Sequence, residues 1–155
     1  MHGLLTDPIP TEKLPMSDVL KHLQRLREHE KKQAQTDLAK AELAQELQAA
    51  KVEANARSVE DARNGTSEDD AAEVARYHAF RLRMEMVRRR EVGRLEKRKN
   101  AVSNARTTLN ESVRKARTLD KIIENRDEEA AREARKSEEN LMTELSLQGW
   151  WRKTG

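Results

Sequence analysis

The run LEKRKNAVSNARTTLNESVRKARTLDKIIENRDEEAAREARKS, residues 95–137, decides the fold. Every seventh residue from Leu95 is apolar or small: Leu95, Val102, Leu109, Ala116, Ile123, Ala130 and Ser137. The positions between them, Arg98, Ala105, Ser112, Leu119, Arg126 and Glu133, complete a seam. A seven-residue apolar period closes only when a helix supercoils around a partner. The helical pattern extends from Val74 to Leu147 with Gly93 as its only interior glycine and no proline. At 1.5 Å rise per residue, such a helix is roughly 110 Å long, far beyond a globular helix. Arginine, glutamate and serine weaken the seam, which suits a partner that is exchanged rather than permanently buried.

Composition agrees. Of 155 residues, 38% are charged, 35% hydrophobic and 3% aromatic, which points to long helices rather than a compact core. The same numbers describe disordered chains, but the apolar residues here are periodic. There is no cysteine, so neither a disulfide framework nor thiolate chemistry is available. Residues 1–15 lack the basic and apolar regions of a signal peptide, and no run of apolar residues is long enough to insert into a membrane. Residues 1–70 hold 10 basic and 14 acidic side chains, a net of −4; residues 71–155 hold 21 and 14, a net of +7. The excess lies between Arg76 and Lys99, where Arg88, Arg89 and Arg90 are consecutive.

Outward from the seam, the chain divides as follows. Residues 1–16 contain Pro8, Pro10 and Pro15 and read as an extended lead-in. Helix 1 is predicted over 17–63, capped by Ser17, with apolar residues three and four apart. Asn64-Gly65-Thr66-Ser67 is the loop, with Gly65 as C-terminal cap and Ser67, followed by Asp70, as N-terminal cap of the next helix. Helix 2 is predicted over 68–148, and residues 149–155 form a tail outside it. A short polar loop between two periodic helices predicts an all-α fold: a long antiparallel two-helix coiled-coil hairpin with unequal arms. The longer arm is left without an intramolecular partner from about Lys115 to Leu147.

No catalytic constellation is present. The five glycines are scattered rather than clustered into a phosphate loop. His22 and His29 lack a third ligand, so no metal or cofactor is expected, and the carboxylates sit on solvated helix faces with no pocket to tune them. The chain reads as not an enzyme. Arg76 to Lys99 fits a solvated helix surface first, an acidic protein partner second and nucleic acid third. Its basic residues surround the helix, and only Tyr77 and Phe80 could stack on bases, so no nucleic acid partner is expected. Phe80, Met84 and Val87, with Tyr77 beside them, share one face; they either pack on helix 1 or offer an edge to a partner. Trp150 and Trp151 are either a frayed tail or a docking element.

Five segments, Ile122-Ile123-Glu124 among them, carry a resemblance to a known family. The opening Leu20-Lys21-His22-Leu23-Gln24-Arg25-Leu26-Arg27 resembles the first helix of the stalk proteins of type III secretion systems, injectisome and flagellar. Ala116-Arg117-Thr118-Leu119-Asp120, Arg126-Asp127-Glu128-Glu129 and Ser137-Glu138-Glu139-Asn140-Leu141 are similar to the glutamate-rich end of the injectisome members. The resemblance implies a cytoplasmic coiled-coil hairpin at the inner membrane that enters a hexameric secretion ATPase, touches the cytoplasmic domain of the export gate and binds secretion chaperones. It also implies a gate contact through Phe80, Met84, Val87 and Glu91, which have the family's 0, 4, 7, 11 spacing, although Glu91 departs from an apolar pattern. The rival readings are a generic cytoplasmic coiled-coil scaffold and a basic nucleic-acid-binding coil.

Overall fold

The computed structural model describes residues 16–155. The predicted lead-in lies outside the described residues except for Met16. The fold is an all-α helical hairpin: α1 spans Met16–Asn64 and α2 spans Ala71–Thr154. Neither helix contains proline, and Asp18 and Glu73 place negative charge in the first turns, where it meets the positive end of the helix dipole.

Two compact units build the chain, and both helices contribute to each. Of the described residues, the first takes 16–28 and those from Arg114 to the end; the second is His29–Val113. In the second unit, Glu42 pairs with Arg106 and Gln48 with Glu91, so partner numbers fall along α2 as they rise along α1. That is antiparallel pairing. The α1 stripe here is Lys31, Ala34, Leu38, Ala41, Gln45, Gln48, Val52, Asn55, Val59 and Ala62, all shielded to some degree, with alternating steps of three and four. This is an unbroken heptad. The facing stripe of α2 is not: Met84, Val87, Glu91 and Leu95 take two successive steps of four. An inserted four-residue step unwinds a supercoil locally.

In the first unit, Leu20, Leu23, Gln24 and Arg27 of α1 are partly shielded, as is Ile123 of α2, while Ala116 and Leu119 are buried. The Gln24 amide donates to Asp120 Oδ1 at 3.1 Å. The pairing of α2 therefore reaches Ile123, eight residues beyond the predicted end at Lys115. The connection runs from Gly65 to Asp70, longer than the predicted loop of 64–67.

The caps differ from the prediction too. Among the described residues no glycine has positive φ, so Gly65 is not a left-handed cap. Its N–H donates to Asp61 O at 3.0 Å, one more helical step, and the Thr66 hydroxyl donates to Ala62 O at 2.6 Å. Ser67 does not cap α2. Asp70 does: its Oδ1 accepts from the N–H groups of Ala72 (2.9 Å) and Glu73 (3.4 Å). Glu73 in turn accepts the Ser67 N–H at 2.9 Å, tying the loop to the first turn. At the other end, α2 runs through Gly149 to Thr154, so Trp150 and Trp151 lie within the helix rather than in a tail. One glycine costs a helix only about 1 kcal/mol, which a flanking helical sequence offsets.

Candidate partner-binding surfaces

The predicted contact residues fall on different faces. Tyr77, Phe80, Met84, Val87 and Glu91 all lie on the seam side of α2, each half-buried. At 100° per residue they share one stripe with Val74 and Leu95, which pairs with α1. Phe80 and Tyr77 also line a shallow groove with Ala62, Gly65 and Thr66 at the hairpin connection, so each keeps an accessible edge.

Arg88, Arg89 and Arg90 are exposed. Arg88 and Arg89 both reach Glu85, at 3.9 and 3.5 Å, and such solvated pairs contribute little to stability. Between these cations lies a feature that the sequence reading did not single out. Leu82 is 66% exposed and Met86 69%, one turn apart on the outer face. Ala75, Ala79 and Gly93 extend that face, and Arg83 and Arg90 flank it. The signal was present in the sequence as an i, i+4 apolar pair inside the basic run, on the side opposite Phe80 and Met84.

Glu91 is the polar centre of the seam. Gln48 Nε2 donates to Glu91 Oε2 at 2.5 Å and to its backbone carbonyl at 3.0 Å. Arg94 adds an ion pair at 2.9 Å. The Gln48 hydrogen bond, helped by Arg94, Lys51 and Arg90, holds the Glu91 carboxyl below its ordinary value against the opposing effect of burial. A regular heptad run back from Leu95 keeps Glu91 on the seam and follows it with Arg88; the second step of four puts Val87 there instead. About two turns from Gln48 in α1, Asn55 is 7% exposed and its Nδ2 has no hydrogen-bond partner. Asn55 weakens the seam there, because a buried donor without an acceptor costs about 1–3 kcal/mol.

Trp150 and Trp151 stand exposed on the last turn of α2, with ring centroids 5.4 Å apart in an edge-to-face arrangement. Every residue from Glu124 to Gly155 is exposed, and Leu141, Met142, Leu145 and Leu147 precede the tryptophans. A helix end that is apolar on several sides and has no neighbour among the described residues is a surface suited to a protein partner.

The described residues hold no group of three or more His, Cys, Asp or Glu placed to bind a metal ion. No described helix is long and apolar enough to cross a membrane. A shallow groove in the first unit is lined by Gln24, Ile123, the carboxylates Asp120, Glu124 and Asp127 and the cations Arg132 and Arg135, an open surface of mixed charge rather than an enclosed site.

A family model described as "Flagellar FliJ protein" matches residues 16–155, the whole of the described hairpin. No curated protein and no solved structure matches the chain.

Proposed function

The chain belongs to the flagellar FliJ protein family, and on that premise we propose that it is the central stalk of a type III export apparatus. In this reading it is non-enzymatic and cytoplasmic. Its first unit enters the central hole of the hexameric export ATPase, and its second unit reaches the cytoplasmic domain of the export gate at the inner membrane. Substrate chaperones are further partners of the same helical surfaces.

The observation that carries the reading is the family match over a hairpin whose longer helix continues beyond Ile123 with every residue exposed. A stalk that meets successive ATPase subunits needs contacts that form and break. Solvated charged faces supply such contacts, since exposed ion pairs are worth roughly 0–1 kcal/mol each. Trp150 and Trp151 add an apolar anchor at the helix end. For the gate, the accessible edges of Tyr77 and Phe80, with Met84, Val87 and Glu91 behind them, offer one surface and Arg88–Arg90 the adjoining charge. The outward Leu82 and Met86 offer a second surface, which is better exposed.

The test adds the purified chain to the export ATPase of its own organism. Stimulated hydrolysis is expected, and the double variant Trp150→Ala, Trp151→Ala reduces it severalfold with helicity intact. No stimulation by the intact chain contradicts the reading. Gate binding is compared for the pairs Phe80→Ala, Met84→Ala and Leu82→Ala, Met86→Ala. Loss in the second pair alone moves the contact to the outer face, and no loss in either removes the gate from this part of α2.

A further inference from the structure

Beyond Ile123, α2 keeps its apolar stripe although every residue along it is exposed. Continuing the line of Ile123, the side chains of Ala130, Ala134, Leu141 and Leu145 lie within about 60° of one another around the helix axis at 100° per residue. Asp127, Ser137 and Gln148 fill the same face, so it is an exposed half-seam with small residues at its centre.

We propose that this face pairs with the same face of a second copy of the chain, antiparallel, about a two-fold axis between Ser137 and Glu138. The size pattern selects the direction. In an aligned parallel pair, Ala130 and Ala134 meet themselves and leave voids, while Asp127 meets Asp127. Antiparallel about the stated axis, Ala130 faces Leu145 of the second copy and Ala134 faces its Leu141. Small residues then receive large ones, which is the condition for close helix approach. Asp127 meets the Gln148 amide instead of a like charge. Beside the axis, Arg135 of each copy lies against Glu138 of the other, an opposite-charge pair that the symmetry repeats. Shifting the axis by two residues, to lie between Arg135 and Lys136, sets Ala134 against Ser137 and Asp127 against Glu144, which removes both advantages.

The dimer does not depend on the export reading. Where that reading holds, the pairing covers the surface offered to the ATPase, and the dimer is a resting form that the ATPase opens.

The chain has no cysteine, so introduced thiols report the pairing without background. Sedimentation equilibrium of the full chain gives a reversible dimer in the micromolar range. Leu141→Glu weakens it at least tenfold with unchanged far-UV circular dichroism, because Leu141 is 57% exposed in the single chain. Under mild oxidation, Ser137→Cys forms a disulfide-linked dimer. Ala130→Cys does so only when mixed with Leu145→Cys. A chain that stays monomeric at 100 micromolar overturns the proposal. So does a dimer indifferent to Leu141→Glu, or efficient self-linking of Ala130→Cys, the mark of a parallel pair.

Discussion

Glu91 shows how one side chain can be read in two ways. Its position eleven residues after Phe80 places it at the end of an apolar series, where a carboxylate looks misplaced. In the folded chain Gln48 and Arg94 satisfy it. Its folded pKa lies below the ordinary value of 4.5, so the charged form favours the fold. That contribution is present above the unfolded value and is lost as pH falls through the depressed folded value. Replacing Gln48 with Leu removes the largest cause, and NMR titration of the Glu91 carboxyl then gives a higher pKa than in the parent. Glu91→Gln makes the acid limb of the helicity curve shallower. The pairing was not legible beforehand, because the partner is 43 residues distant. A strict heptad drawn from Leu95 backwards puts both Glu91 and Arg88 on the seam; the observed stripe keeps Glu91 and takes Val87 in place of Arg88.

At the scale of the element, the two long helices were legible because nothing local opposes them. Proline is absent, alanine is abundant, and apolar residues recur at helical spacing. The ends were less legible. Gly65 and Gly149 carry the usual signal for a helix stop, yet neither adopts positive φ and α2 passes straight through Gly149. Termination is set instead by the Thr66 hydroxyl on α1 and by the Asp70 carboxylate on α2. The sequence reading made Ser67 the cap with Asp70 as its capping-box partner, whereas Asp70 itself is the cap. A glycine inside a helix with open space around it has a simple consequence. A Cβ at Gly93 meets no atom within 4 Å. Gly93→Ala therefore stabilises the chain by roughly 0.5–1 kcal/mol, read as a shift in the urea midpoint without a change in slope. Destabilisation would mean that α2 is bent or contacted there.

For the whole molecule, the order of partners follows from the connection. Antiparallel pairing fixes which residues of α2 meet α1, and every residue from Glu124 onward is exposed. The unequal arms were legible from helix lengths, while pairing reaches Ile123, eight residues beyond the predicted end. The resemblance seen in a few short segments agrees with the family match over residues 16–155. Which residues meet which partner was not legible, because a coiled coil spends its apolar residues on its own seam, and Phe80, Met84 and Val87 could not be assigned to inside or outside until α1 had been placed.

The fold-back is tested most directly by a spin-label distance between positions 43 and 107, one in each helix and both exposed in the second unit. Paired helices lie roughly 8–10 Å apart axis to axis, which with the label arms gives a separation of about 20–30 Å. A single uninterrupted helix would put the same two positions about 96 Å apart at 1.5 Å per residue, and that result would contradict the hairpin and the roles assigned to its surfaces.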